Sequence, residues 1–213
     1  MSLAVCICDT RDHEQAARTL AHTVQVMQHC HEIQHAYWVS DQPITRTLTI
    51  PVSQIQIPTL RNFPFEYNYF CLRHMPQFVK ESHVMVIQTD GYPVNPQAWT
   101  PEFLRYDYIG AVMSPQWVPH RYAVGNGGFS LRSKKLLNAL EHIQPDPHLH
   151  HEDTTISWHY RHVLEDDHHI QFAPHDLADR FSIEYHYDTV WLGKSLGFHG
   201  KHLTHLYPLS DHI

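Results

Sequence analysis

The chain has 213 residues, of which 42% are hydrophobic and 17% charged; it is long enough to bury a core and has a globular rather than a disordered composition. A formal net charge of −7 with histidine neutral argues against a protein that wraps nucleic acid or adheres to an anionic membrane. No apolar run nears the roughly 20 residues that a membrane-spanning helix needs.

The opening MSLAVCICDTRDHE has no basic segment and only a short apolar stretch, so it does not read as a secretion signal. The expectation is a cytoplasmic protein, or one domain of a longer chain. Cys6, Cys8, Cys30 and Cys71 form no CxxC pair and read as free thiols. The 22 histidines are scattered, without cysteines at zinc-finger spacing, and most read as a surface bias.

Residues 3–8 (LAVCIC) are a short apolar run of strand type. Asp9, Thr10, Arg11 and Asp12 follow as a turn and a candidate helix cap, in which Thr10 and Arg11 are candidate substrate-binding residues. Ala16, Leu20, Val24 and Met27 then recur at helical spacing, which predicts a helix over 12–31. Residues 36–39 (AYWV) read as the second strand. A β-α-β opening of this kind implies a parallel sheet and a right-handed crossover. Residues 47–57 read as extended, and 65–79 as an aromatic-rich helix interrupted by Pro76.

Residues 84–87 (VMVI) have the continuous apolar character of a buried parallel strand. A further strand is expected at 108–112, another at 129–131, and helices at 134–142 and 151–165. A late strand is expected at 170–173, and short extended pieces at 181–185 and 196–200. Open α/β sheets bind ligands at the carboxyl ends of their strands, so the polar residues there carry the argument.

VMVIQTDG (84–91) delivers Asp90 at the end of a hydrophobic strand. It is either a plain strand-to-turn aspartate or a ligand for a divalent cation, Mg²⁺ or Mn²⁺ by the chemistry of its oxygens. VGNGGFSLR (124–132) offers close backbone approach to a polar ligand, with Asn126, Ser130 and the amides of Gly127 and Gly128 as hydrogen-bonding groups, or a tight hairpin turn. In HEDT (151–154) the acidic pair Glu152 and Asp153 is either ordinary helix capping or a general base, and the helix dipole is expected to lower its pKa. LGFHGKH (196–202) places His199 between Phe198 and Gly200; it could join Asp90 on a metal, with Lys201 adding positive charge against a diphosphate.

In running order, QTDG, YDYIGAV, VGNGGFSLR, HED, FAP and GFHG resemble a poorly characterised glycosyltransferase-like family grouped with the GT-A nucleotide-diphospho-sugar transferases. The resemblance covers residues 70–200. At a greater distance the order is similar to that of the β-1,4-galactosyltransferases. It implies a single GT-A-like α/β domain with a mostly parallel central sheet flanked by helices. A nucleotide-binding half would occupy about residues 1–92 and an acceptor half about 93–213.

The resemblance also implies a metal-assisted hexosyltransferase with a nucleotide-sugar donor, a UDP-sugar as the first choice, and a glycan or other hydroxyl acceptor. Asp90 and His199 would hold the Mn²⁺ or Mg²⁺. Gly127, Gly128 and Ser130 would form the sugar loop. Asp153 would be the base, with Glu152 second. One position departs from the pattern: Gln88 stands where a DxD motif has its first carboxylate, so it brings no charge to the donor. A catalytically silent module of the same fold is the alternative reading, and a histidine-rich metal-binding protein a third.

Overall fold

β1 (Leu3–Cys8) is buried at all six positions and pairs in parallel with β2 (His35–Ser40) on one side and with a later strand on the other. A strand buried on both faces needs helices above and below it. The computed structural model describes residues 1–144, 146, 148, 151–185 and 193–209, and it supplies both layers. α1 (His13–Met27) packs Ala16, Leu20, Val24 and Met27 against Leu3, Val5 and Ile7. The alternate residues Ala4, Cys6 and Cys8 face a second cluster. That cluster comes from α2 (Phe63–Tyr69), its continuation through a π-type turn (Phe70–His74) into α3 (Met75–Phe78), and later helices. Pro76 sits where this bent helix resumes, as the sequence implied.

β3 (Val52–Gln56) pairs in parallel with β2 at the sheet edge. β4 (His83–Ile87) returns to the opposite side of β1, and β5 (Gly91–Pro93) follows it after a tight turn. β6 (Tyr108–Gly110) and β7 (Ser130–Ser133) complete a six-stranded sheet of order β3-β2-β1-β4-β7-β6. Only β7 runs against the others, so the sheet is mostly parallel, as expected.

α4 (Lys134–Leu140) starts on Ser133, whose hydroxyl accepts from the Leu136 amide. The helix expected over 151–165 is broken into α5 (Glu152–Thr154), a π-type turn (Thr155–His159) and α6 (Arg161–Asp166). α7 (His175–Phe181) leads to β8 (Ser182–Ile183), and β9 (Gly197–His199) lies between β8 and β5 in a second, three-stranded sheet. The strand expected over 170–173 is reduced to one bridge between Phe172 and Tyr108. Among the described residues no helix is long and apolar enough to cross a membrane, and the four cysteines are free thiols.

Candidate active site

The chain reverses its direction of travel across the sheet between β1 and β4, which leaves a crevice at their carboxyl ends. Asp9 closes β1. Its carboxylate accepts from the amides of Arg11 (2.7 Å) and Asp12 (2.8 Å), and Asp12 in turn caps α1 through the Gln15 amide. At the end of β4, Gln88 and Gly91 exchange both backbone hydrogen bonds at 3.0 Å, so Thr89 and Asp90 form the tip of a tight turn. The Asp90 carbonyl also accepts from the Gly200 amide at 2.7 Å, and Gly91 pairs with His199. A residue more than a hundred positions away is thereby delivered beside Asp90.

The His199 ring is held from both sides. Nδ1 lies 3.1 Å from Glu184 Oε1; Nε2 lies 3.3 Å from Gln88 Oε1 and 3.8 Å from Asp90 Oδ1. Burial works against charge on this ring. The hydrogen bond and charge of Glu184, with the charges of Asp90 and Asp153, outweigh it and raise the pKa above the ordinary value for histidine.

The glycine loop and the acidic pair are built together. Arg132, in β7, is fully buried beneath the loop. Its Nη2 donates to Glu152 Oε1 (2.9 Å) and to the Gly127 carbonyl (3.3 Å), and its Nε donates to Ser130 Oγ (3.1 Å). Ser130 in turn donates to the Gly127 carbonyl. A Cβ on Gly127 would sit 2.0 Å from Glu152 Oε1, and one on Gly128 would sit 2.0 Å from His199 Nε2. The glycines are required because these two side chains pass directly against the backbone.

Asp153 lies at the surface of this assembly. It accepts from the amides of Gly127 (3.4 Å) and Thr154 (2.7 Å). Burial, followed by the charge of Glu152, pushes its carboxyl up to about 6 in spite of those bonds. The bond from the Thr154 amide at this helix start does pull the carboxyl down, in the expected direction, but burial and the charge of Glu152 outweigh it. A carboxylate titrating nearer neutral pH is a stronger base than the ordinary one.

Two adjoining cavities share Phe63, Gln88 and His199. The larger, about 520 Å³, is lined by Asp9, Arg11, Asp12, Thr89, Asp90 and Lys201 as well. The smaller, about 290 Å³, adds Tyr67, Gly128, His151, Glu152 and Asp153. Arg11 lies over the Phe63 ring, its guanidinium carbon 3.7 Å from the centroid. Asp90, Asp153, His199, Gln88, Arg11, Gly128 and Lys201 thus meet at one end of the sheet.

Other residues singled out from the sequence take different roles. Ser130 is fully buried and its hydroxyl is used within the loop, so it builds the loop rather than meeting a sugar. Asn126 is buried and caps the Gly128 amide at 3.0 Å, and Gly127 has its amide turned toward Asp153. Thr10 lines neither cavity; its hydroxyl accepts from the Leu60 amide. Glu152, paired with a buried arginine, is engaged as a counter-ion. Sequence reasoning missed Asp9, Phe63, Tyr67, Arg132 and Glu184. An arginine within an apolar strand was a usable signal for Arg132, and the strand-end position was one for Asp9. Nothing in the sequence marks Glu184.

One family model, described as a protein of unknown function (DUF5672), matches residues 51–199, more than half of the chain. A comparison with curated proteins finds no match. Among solved structures, a glycosyltransferase involved in the glycosylation of the major capsid of PBCV-1 is 14% identical, with 93% of this chain and 92% of that one covered and a TM-score of 0.55. The apo form of the glycosyltransferase GlyE of Streptococcus pneumoniae TIGR4 is 13% identical with a TM-score of 0.51; 93% of this chain corresponds to 54% of that one. At such identities the likeness shows a shared glycosyltransferase-like fold.

Proposed function

The chain belongs to the DUF5672 family, and on that premise we propose that it is a glycosyltransferase moving a sugar from a nucleoside-diphosphate sugar to an acceptor hydroxyl. The observation that carries this reading is the pair of cavities joined at Gln88 and His199, with Arg11 and Lys201 among the carboxylates Asp9, Asp12 and Asp90 on one side and a carboxylate of raised pKa on the other. The larger cavity takes the donor. Arg11 and Lys201 face its diphosphate, and Phe63 offers an aromatic face. The smaller takes the acceptor. Most of the donor side comes from residues 1–92, with His199 and Lys201 arriving from the second half.

In the transfer Asp153 accepts the proton of the acceptor hydroxyl. The hydroxyl oxygen bonds to the anomeric carbon, and the bond from that carbon to the diphosphate breaks, its electron pair leaving with the diphosphate. This is the inverting course, in which a base is required. Glu152 and Arg132 fix the loop against which Asp153 is held, and neither exchanges a proton.

The residues present fit a divalent cation. Gln88 Oε1 and Asp90 Oδ1 lie 3.3 and 3.8 Å from His199 Nε2. Two ligands at about 2.1 Å from one ion can span up to about 4.2 Å. Asp90, His199 and the Gln88 amide oxygen would hold Mn²⁺ or Mg²⁺, which supplies neutralisation of the diphosphate when bound. Among the described residues no three His, Cys, Asp or Glu side chains cluster to hold a metal, so the amide oxygen is the third donor of the set.

Calorimetry with a panel of nucleoside diphosphates, with and without Mn²⁺, combined with a donor-turnover assay, tests the reading. Binding with turnover supports it. Binding without turnover under any acceptor would leave a silent module of the same fold, which the uncharged Gln88 favours. No binding of any nucleotide would refute both.

A further inference from the structure

β8 and β9 run in parallel, with Ser182 beside Gly197 and Ile183 beside Phe198. The next step of that register brings Glu184 to His199. Glu184 is buried, with 7% of its surface exposed; Oε1 meets His199 Nδ1 at 3.1 Å, and Oε2 has no hydrogen-bond partner among the described residues. The Glu184 carbonyl accepts from His202 Nε2 at 2.9 Å, so its backbone is tied as well. A buried carboxylate with one oxygen unsatisfied is costly, and an apolar side chain of the same size would fill the space without that cost. A carboxyl group buried here with one oxygen on Nδ1 and the other unpaired among the described residues points to a task at His199.

We infer that Glu184 is a positioning residue. Of the two acceptors on the His199 ring it is the nearer, at 3.1 Å from Nδ1 against 3.3 Å from Nε2 to Gln88 Oε1. In the neutral ring it therefore holds the hydrogen on Nδ1 and leaves the Nε2 lone pair toward the space beside Gln88 and Asp90, where the amide oxygen of Gln88 and that lone pair are both free to meet a cation. Histidines that ligate metals are commonly oriented in this way by an acceptor on the far nitrogen. The use made of Nε2 rests on the cation site proposed above; the orientation of the ring does not.

The experiment reads the two separately. The ¹⁵N spectrum of the His199 ring, assigned by difference from His199→Gln and recorded at alkaline pH where the ring is neutral, reports the tautomer. The wild-type ring should carry its hydrogen on Nδ1. Glu184→Gln retains an acceptor oxygen and should keep that tautomer, whereas Glu184→Met removes it and should shift the hydrogen toward Nε2. Should Glu184→Met fail to fold, Glu184→Asp, shorter by one methylene, serves in its place.

Mn²⁺ titration, followed by the electron paramagnetic resonance of the free ion, should show affinity falling about 10- to 100-fold in Glu184→Met and less in Glu184→Gln. An unchanged tautomer in Glu184→Met overturns the positioning role. A shifted tautomer with no Mn²⁺ bound by the wild type upholds that role and overturns the cation site.

Discussion

The two sides of the cleft are supported in opposite ways. On the acceptor side, Asp153 rests on a loop held from within the protein by the buried Arg132–Glu152 pair, and two glycines let the side chains pass. On the donor side, Asp9 and Asp90 are set by backbone hydrogen bonds at strand ends, and Arg11 and Lys201 lie exposed at the rim. Side chains hung on turns can be exchanged without disturbing the core, whereas a buried ion pair cannot lose one member cheaply. Substitutions in the buried pair should therefore register in stability, that of Asp153 above it in rate, and donor-side substitutions mainly in ligand affinity.

The largest effect is expected from Asp153→Asn. Turnover should fall about 100- to 10,000-fold while nucleotide affinity by calorimetry stays level. The folded carboxyl holds its proton more tightly than the unfolded chain, where it ionises near 3.8. Ionising Asp153 therefore costs stability as pH rises from about 4 through about 6. The asparagine variant, free of that cost, should melt no lower than wild type at neutral pH. A fully active Asp153→Asn would reduce the residue to a cap.

Next comes the pair beneath it. Arg132→Met strands the buried Glu152 carboxylate and Glu152→Gln strands the guanidinium; each should cost about 3–5 kcal/mol in denaturant unfolding. A loss under about 1 kcal/mol, the scale of an exposed pair, would show that the two sides of the cleft are supported alike.

The third test is the pH profile. Asp153 must be ionised to accept a proton, so kcat should fall about tenfold per pH unit below about 6 and level off above it. A flat profile down to about pH 5 would assign the base elsewhere.

On the donor side, Asp90→Asn should weaken nucleotide binding on the order of tenfold and blunt its response to Mn²⁺, with the melting temperature unmoved. Arg11→Ala, which loses a cation–π contact with Phe63, should cost only about two- to fivefold in donor affinity. Large losses of stability in either variant would erase the contrast.

The fold was largely legible because its strands are short apolar runs and α1 has clean helical spacing, both of which report burial directly. Asp90 and His199 could be singled out because strand ends and glycine-flanked histidines are local features. Their meeting was expected from the resemblance in motif order and not from any local feature, since it depends on a Gly200 amide bonding to the Asp90 carbonyl across more than a hundred residues. The support of the glycine loop was not legible for a related reason: sequence shows where side chains are missing, but not that Glu152 and His199 pass through the space they leave. Glu184 left no trace because its role is set by the register of a two-residue strand.

The Arg132–Glu152 pair also constrains how this chain can diverge. Exchanging either residue alone passes through an unpaired buried charge, whose cost of about 3–5 kcal/mol is a large share of the roughly 5–15 kcal/mol that holds a typical domain together. The two positions are therefore expected to change in concert or remain fixed, although 20 residues separate them. Among distant relatives, joint retention of an arginine in this strand and an acidic partner at this helix start should identify chains that build the cleft the same way, even where the QTDG and GFHG segments have drifted beyond recognition.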